Sequence, residues 1–320
     1  MGTGVGGITS LVESTNSHVL SAVRRLTGKN MRLPEAAATE ALQELIASLP
    51  LRFNPFSVSM VMPNAISAVL GIRYSLRGPN TVSAVACAAG TVAIGHAFRS
   101  IRDGETDVAL CGGSEYTGDP FGGSFRAFDT AKTLTTGGAC PATANRPFDK
   151  ARTGFLMAEG GAAVLVCEEL EHARRRGRPV HAEIVGYGES FDAYSMLVVE
   201  PSGEALSRAI TGAITDAGIT AADVDAVNTH GTGTVINDEV ESAVIERLFG
   251  QRPLVTATKS LTGHCIGASG AIEAAVTALS LRDQKVHGCV NLQDPVRPLN
   301  FARQATDAHL RWAVSQSSAF

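Results

Sequence analysis

The stretch T-V-S-A-V-A-C-A-A-G-T-V-A-I-G-H-A, Thr81 to Ala97, changes character at one residue. Up to Cys87 it reads as a buried strand, and beyond it as a helix of small residues. The switch from β to α is the repeating unit of an α/β fold. It also sets a thiol at a helix N-terminus, where unpaired N–H groups and the positive end of the dipole favour thiolate. The same N–H groups can hold an oxyanion, and small neighbours leave room for a substrate. Taken alone, the segment reads equally well as a packing cysteine in a tight strand–helix joint.

Strand-like and helix-like segments alternate through the rest of the chain. Residues 107–111 (D-V-A-L-C), 162–167 (A-A-V-L-V-C), 182–186, 226–229 and 255–258 read as strands. A charged helix ends in E-H-A-R-R-R-G-R-P, and further helices fall near 202–217, at 238–249 and, glycine-rich, at about 266–284. Buried strands that read as continuous apolar runs between helices predict an α/β fold. Residues 30–51 mix apolar and charged side chains at helical spacing, as a surface helix does.

Composition narrows the function classes. The 320 residues are 44% hydrophobic and 18% charged, with a net charge of −4, which suits a globular chain and gives no footprint for nucleic acid or an anionic membrane. No apolar run approaches the roughly 20 residues of a membrane span. The opening M-G-T-G-V-G-G has neither a basic n-region nor an apolar h-region, so a soluble, cytoplasmic protein is expected. That opening fits G-x-G-x-x-G, but no strand precedes it and no ribose-binding acid follows, so no dinucleotide cofactor is expected. The six cysteines are dispersed and none forms C-x-x-C, so neither a metal site nor a redox motif is expected.

Two further strand ends carry chemistry. In N-T-H-G-T-G-T, Asn228 to Thr234, His230 precedes a flexible Gly-Thr-Gly loop; alone, it could simply hydrogen-bond that loop. In K-S-L-T-G-H-C-I-G-A-S-G, Lys259 stands at a strand end with His264 shortly after; alone, Lys259 could be an exposed cap. Together, one cysteine and two histidines in glycine-rich loops suit thioester chemistry. A thiolate takes the acyl group, and two imidazoles hydrogen-bond a thioester carbonyl as charge develops on it. Ligands of α/β sheets gather at the carboxyl ends of strands, where these loops belong.

On these residues the chain resembles the β-ketoacyl-[acyl-carrier-protein] synthases of the condensing-enzyme, or thiolase-like, superfamily. A-C-A-A-G resembles the nucleophile motif, H-G-T-G-T the first histidine motif and K-S-L-T-G-H-C-I-G-A-S-G the lysine–histidine motif. N-R-P-F-D-K-A-R-T-G-F-L-M-A-E-G, from Asn145, is similar to the central signature. The resemblance implies a thiolase-like fold of two similar α/β halves, 1–170 carrying Cys87 and 171–320 carrying His230 and His264. It implies that Cys87 accepts an acyl chain from an acyl carrier protein bearing phosphopantetheine. His230 and His264 would stabilise the enolate that malonyl-carrier forms on losing CO2, and the carbanion would attack the acyl-cysteine. Lys259 would order the site, paired with Glu241 on the helix after the H-G-T-G-T loop, and the Cys87 N–H would form half of the oxyanion hole. No cofactor is implied.

The resemblance further places Phe128 in the acyl pocket and Arg52 and Lys132 among the positions that meet the acidic carrier. The Arg174–Arg176 run fits the same surface, or simply caps a helix C-terminus. Family members are usually dimers, so a homodimer or a heterodimer with a related subunit is expected, with the segment leading to Cys87 at the interface. Against the family pattern the chain looks short at both ends, and Phe320 resembles the first phenylalanine of a family loop. Asn237-Asp238 after H-G-T-G-T resembles polyketide enzymes, whereas V-S-M-V-M-P-N, Val58 to Asn64, resembles long-chain fatty-acid enzymes. A non-catalytic subunit similar to a chain-length factor, or an inactive short ketosynthase, is the alternative reading. Those subunits commonly lack the cysteine, which this chain retains.

Overall fold

A computed structural model of the chain describes residues 62–118, 122–136 and 140–319, together with Met1, Glu40 and Gln43. The glycine-rich opening, the surface helix expected at 30–51 (but for Glu40 and Gln43, both helical), Arg52, most of the 58–64 motif and Phe320 lie outside the described residues. Helix α1 (Ala65–Arg73) precedes the Cys87 segment.

Two long strands, β1 (Val108–Tyr116) and β2 (Gly160–Glu168), pair antiparallel in register from Val108 opposite Glu168 to Tyr116 opposite Gly160. The ladder runs through Gly112 and Gly113, beyond the end expected at Cys111. Glycine permits this: a Cβ on Gly112 would stand 2.1 Å from the Ala163 carbonyl oxygen, and one on Gly113 2.6 Å from that of Gly267. Cys111 and Cys167 place their sulfurs 3.3 Å apart across the ribbon as free thiols among apolar neighbours.

Helix α2 (Ala89–Arg102) packs on this ribbon. Ala89, Ala93 and Ala97 recur at every fourth position and form a buried face, while Arg99 and Arg102 lie in the last turn, where cations suit the dipole. Short helices α3 (Gly123–Thr130) and α4 (Leu170–Arg175) follow the two strands. In α4 the Glu169 carboxylate caps the N-terminus, and the last turn is basic.

Beyond it come α5 (Glu204–Asp216), β3 (Ala226–Asn228), α6 (Val235–Phe249), β4 (Leu254–Thr256), the one-turn α7 (Lys259–Thr262) and α8 (Ser269–Asp283). Strands β5 (Lys285–Val286), β6 (Thr306–Asp307) and β7 (Ala313–Ser315) complete the order. A three-stranded parallel sheet has the order β4-β3-β7, and β5 pairs antiparallel with β6. Phe148, Ile214, Val227, Val244, Ile245, Val255 and Phe301 form the core beneath this sheet. Helix α8 touches α2, both strands of the ribbon and β7, so it joins the two sheets.

Two expected strands are absent among the described residues. Before Cys87 only Ser83 makes a bridge, with Met1 bonded to the Thr81 carbonyl and the Ser83 N–H. Val85 is 43% exposed, so among the described residues no buried strand precedes Cys87 and Ala84–Val85 is open. No described strand runs alongside it to form a ladder. Residues 182–186 are extended but unpaired, and the chain here lies on α5: a Cβ at Gly186 would meet the Ala213 carbonyl oxygen at 2.2 Å. Helix packing replaces the expected sheet edge.

The small residues around Cys87 fill a packing role rather than leaving open space. A Cβ on Gly90 would come within 2.7 Å of the Ala271 nitrogen and 3.0 Å of the Gly267 carbonyl oxygen, both backbone. Overpacking of this kind costs about 1–3 kcal/mol, against at most ~1 kcal/mol returned by helix propensity. Gly90→Ala is therefore expected to lower the denaturant midpoint. Gly78→Ala, where nothing lies within 4 Å, should stay within about 0.5 kcal/mol of the parent. Equal midpoints for the two variants would contradict this packing account.

Candidate active site

Three chain segments converge on one buried point. Ala86 has φ +38°, and a single 3-10 turn, Ala86–Ala88, tips Cys87 inward ahead of α2. His230 follows β3, where Gly231 and Gly233 take φ values of +44° and +86° that glycine adopts freely. His264 follows α7 and is held by its backbone: its N–H donates to the Leu156 carbonyl at 2.7 Å, and its carbonyl accepts from Ala158 N–H at 3.1 Å. Leu156 and Ala158 belong to the Asn145 signature, which frames the site. Phe148 N–H and Gly233 N–H both bond the buried Asp238 carboxylate, at 2.7 and 3.2 Å, and the Asn145 side-chain amide bonds the Lys259 carbonyl.

Cys87, His230, Lys259 and His264 are each at most 3% exposed. His264 Nε2 lies 3.1 Å from Cys87 Sγ, and its Nδ1 lies 3.0 Å from Ser269 Oγ. The two imidazole rings meet nearly at right angles, 5.5 Å between centroids, and Phe155 stands edge-on to His264 at 5.1 Å. Leu134, Phe155 and Ile266 cluster with Cys87, with Phe128 and Met157 packed against them. Phe128, expected in the pocket, packs against this cluster, its ring centroid 5.4 Å from that of Phe155. Lys132 is exposed, with φ +59°, just beyond the end of α3.

The Lys259 ammonium sets the chemistry of His230. It donates to the His230 carbonyl at 2.7 Å, to His230 Nδ1 at 3.1 Å and to Glu273 Oε1. An ammonium has three protons and no lone pair, so all three are used and Nδ1 must accept. The neutral ring then carries its own proton on Nε2, which is buried without a hydrogen-bond partner among the described residues. Burial, with the Lys259 charge adding to it, holds both imidazoles well below the ordinary histidine range, so both are neutral.

Two expectations need correction. The carboxylate paired with Lys259 is Glu273, not Glu241. Glu241 instead accepts the backbone N–H groups of His230 and Gly231, at 2.7 and 2.8 Å, and so fixes the loop that carries the imidazole. Nor does the helix terminus leave Cys87 with a lowered thiol: burial pushes it up to about 12, with Lys259 and the Cys87 backbone N–H pulling only partly back. Glu273 left one signal in the sequence, as the sole charged residue between His264 and Arg282.

One ring nitrogen of each imidazole and Cys87 Sγ lie within 4.8 Å of one another, a donor set that elsewhere binds zinc. The fit fails at His230, whose Nδ1 is occupied by the Lys259 proton and whose Nε2 holds its own. The site therefore presents the His230 Nε2–H, without a hydrogen-bond partner among the described residues, close to the Cys87 sulfur and the His264 ring.

A raised thiol has a pH signature. Thiolate fraction climbs about tenfold per pH unit below the pKa, so alkylation of Cys87 by iodoacetamide, followed by peptide mass mapping, should still be rising at pH 10. The exposed Cys140 serves as the internal comparison. A plateau for Cys87 below pH 9 would mean that the Lys259 charge, not burial, governs the thiol.

The described residues contain no helix long and apolar enough to cross a membrane. Residues 6–173 match the family model described as beta-ketoacyl synthase, N-terminal domain, and residues 181–293 the one described as beta-ketoacyl synthase, C-terminal domain. The chain is 41% identical to 3-oxoacyl-[acyl-carrier-protein] synthase 2 of Vibrio cholerae over 257 residues, covering 79% of this chain and 61% of that protein. The Vibrio harveyi enzyme of the same name is 39% identical, over 86% and 68%. The chain thus spans roughly three fifths to two thirds of these relatives. A beta-ketoacyl synthase structure from Burkholderia phymatum superposes with a TM-score of 0.80 at 33% identity, covering 88% of this chain and 69% of that one. The ishigamide ketosynthase/chain length factor gives 0.77 at 35%, over 89% and 69%. A type II PKS acyl-carrier protein in complex with its ketosynthase gives 0.81 at 27%, over 100% and 74%. The α/β arrangement is thiolase-like, and the chain belongs to the beta-ketoacyl synthase family.

Proposed function

We propose that the chain is an acyltransferase that condenses malonyl-carrier with an acyl group held on Cys87. The observation that carries this reading is the pair of neutral imidazoles converging on the thiol, with His264 Nε2 at 3.1 Å from Sγ and His230 Nε2 an unpartnered buried donor. In the first step Cys87 Sγ attacks the acyl thioester, the carrier's sulfur leaves, and the thiol proton passes to that sulfur. The Cys87 N–H helps hold the oxyanion. In the second, malonyl-carrier binds with its thioester oxygen against the two Nε2–H groups. The C–CO2 bond breaks, and its electron pair forms an enolate that the imidazoles stabilise. The enolate carbon then attacks the acyl-cysteine carbonyl, the new C–C bond forms, and Cys87 leaves as thiolate and takes up one proton. The product is a 3-ketoacyl chain, two carbons longer, on the carrier.

Lys259 and Glu241 act through His230, the first through Nδ1 and the second through the backbone. The partner is an acyl carrier protein in the cytoplasm. Relatives named for the carrier and a solved ketosynthase–carrier complex support that choice. We take Phe128 as a pocket residue, Lys132 and Arg52 as carrier contacts, and 1–170 and 171–320 as the two halves. The open Ala84–Val85 segment suits an interface with a second copy or a related subunit. The product would serve fatty-acid or polyketide synthesis; the similar proteins include 3-oxoacyl-[acyl-carrier-protein] synthases and a type II PKS ketosynthase.

Incubation with acyl-carrier should add the acyl mass to the Cys87 peptide, and Cys87→Ala should abolish both transfer and condensation. His230→Ala should keep acyl transfer while losing condensation by about 10²–10³-fold, the usual cost of one oxyanion donor. No acyl mass on Cys87, or condensation by Cys87→Ala, would favour a silent partner subunit.

A further inference from the structure

Ser269 opens α8, is 3% exposed, and places its hydroxyl oxygen 3.0 Å from His264 Nδ1 and 3.0 Å from the Cys265 backbone nitrogen. The Cys265 nitrogen can only donate, so it occupies a lone pair of Oγ. Nδ1 is the only other hydrogen-bond partner of Oγ among the described residues, so the serine's proton is paired only when it goes to Nδ1, and the second lone pair of Oγ stays empty. A ring nitrogen that accepts is unprotonated, so the neutral imidazole carries its proton on Nε2, facing Cys87. Of the ring's other neighbours only the Cys87 sulfur, 3.1 Å from Nε2, competes for the tautomer, and a thiol is a weaker donor than the serine hydroxyl and can itself accept from Nε2–H. Phe155 and His230 present rings at near-right angles, and Lys259 already has its three partners.

We propose that Ser269 is a positioning residue that fixes His264 as the Nε2–H donor of the condensation step. The proposal rests on reading this site as a condensing centre. Ser269 does for His264 what Lys259 does for His230. Each donates to Nδ1, and the two Nε2–H groups face a common point. The means differ, since Lys259 donates from a fixed charge and Ser269 from a neutral hydroxyl whose direction the Cys265 N–H dictates. Without the hydroxyl, Nδ1 and Nε2 compete for one proton, and a fraction of the molecules would turn a lone pair toward the thioester oxygen. A lone pair there repels the developing enolate instead of stabilising it.

The test labels histidine nitrogens with ¹⁵N and compares the parent, Ser269→Ala and Ser269→Thr by NMR, with His264 assigned from a His264→Ala spectrum. The parent should show a protonated Nε2 and a bare Nδ1 for His264. Ser269→Ala should show a mixture of tautomers, and Ser269→Thr should restore the parent pattern. In malonyl-carrier decarboxylation, Ser269→Ala should lower kcat about ten- to a hundredfold with KM within about twofold. Its acid limb should move to higher pH, because a donor that favours the neutral ring is gone. A packing defect alone would shift neither the tautomer nor that limb. An unchanged Nε2–H tautomer in Ser269→Ala, or a kcat within twofold of the parent, overturns the proposal. If the parent itself shows no decarboxylation, the condensing reading fails, and the tautomer spectra alone still decide the role of Ser269.

Discussion

The buried ammonium of Lys259 is the point on which the site depends. At 1% exposure it has no water to fall back on, and an unpaired charge there would cost several kcal/mol. Three acceptors from two segments meet to satisfy it: the carbonyl and ring of His230 after β3, and Glu273 from α8. The Asn145 amide then holds the Lys259 carbonyl from the central signature. One cation thus locks the parallel sheet to the helix that also packs on the β1–β2 ribbon. Stability and catalysis cannot be separated at this residue, because the protons that neutralise its isolation are those that decide the tautomer of His230.

The same charge explains why the imidazoles stay neutral. A histidine beside a carboxylate would gain a proton, but here the nearest charge is positive, and burial acts in the same direction. For the thiol the two effects oppose each other. Lys259 favours thiolate, burial disfavours it, and burial prevails, with Glu115 and Glu273 adding to it. A protonated thiol is a weak nucleophile and a poor target for stray electrophiles. On the proposed reading, reactivity then depends on a thioester arriving in the right pose, with a leaving sulfur ready to take the proton.

Much of this was legible from residue type and spacing. Cys87, His230 and His264 sit in glycine-rich segments that composition marks, although only His230 follows a strand in the fold, Cys87 coming after an open segment and His264 after α7. Period and composition bring the strand at 226–229 and the helix at 238–249 close to the observed β3 and α6. What failed needed the third dimension. Glu241 and Glu273 both stand on helices near Lys259, and only the fold decides which carboxylate turns toward the ammonium and which toward the backbone. Residues 182–186 carry the apolar pattern of a strand, yet pattern cannot say whether a ladder partner lies beside it. Ser269 was invisible, since a serine among small residues looks like spacing.

The small residues after Cys87 show how a correct motif can be read for the wrong physical reason. Their sequence suggests an emptied volume around a nucleophile. In the fold, Gly90 and Gly113 bring the backbones of α2, β1 and the Gly267 turn to within one missing Cβ of each other, and Ala89 and Ala93 are buried at that crossing. The space beside the sulfur is bounded instead by Leu134, Phe155, Ile266 and Phe128, all from other segments. Close packing behind Cys87 makes its position rigid, and the bulky side chains in front of it define what can approach. On the proposed condensing reading, a change of acyl preference should therefore come from Phe128 or Leu134. Enlarging the alanines and glycines behind the thiol would displace the nucleophile without widening any pocket.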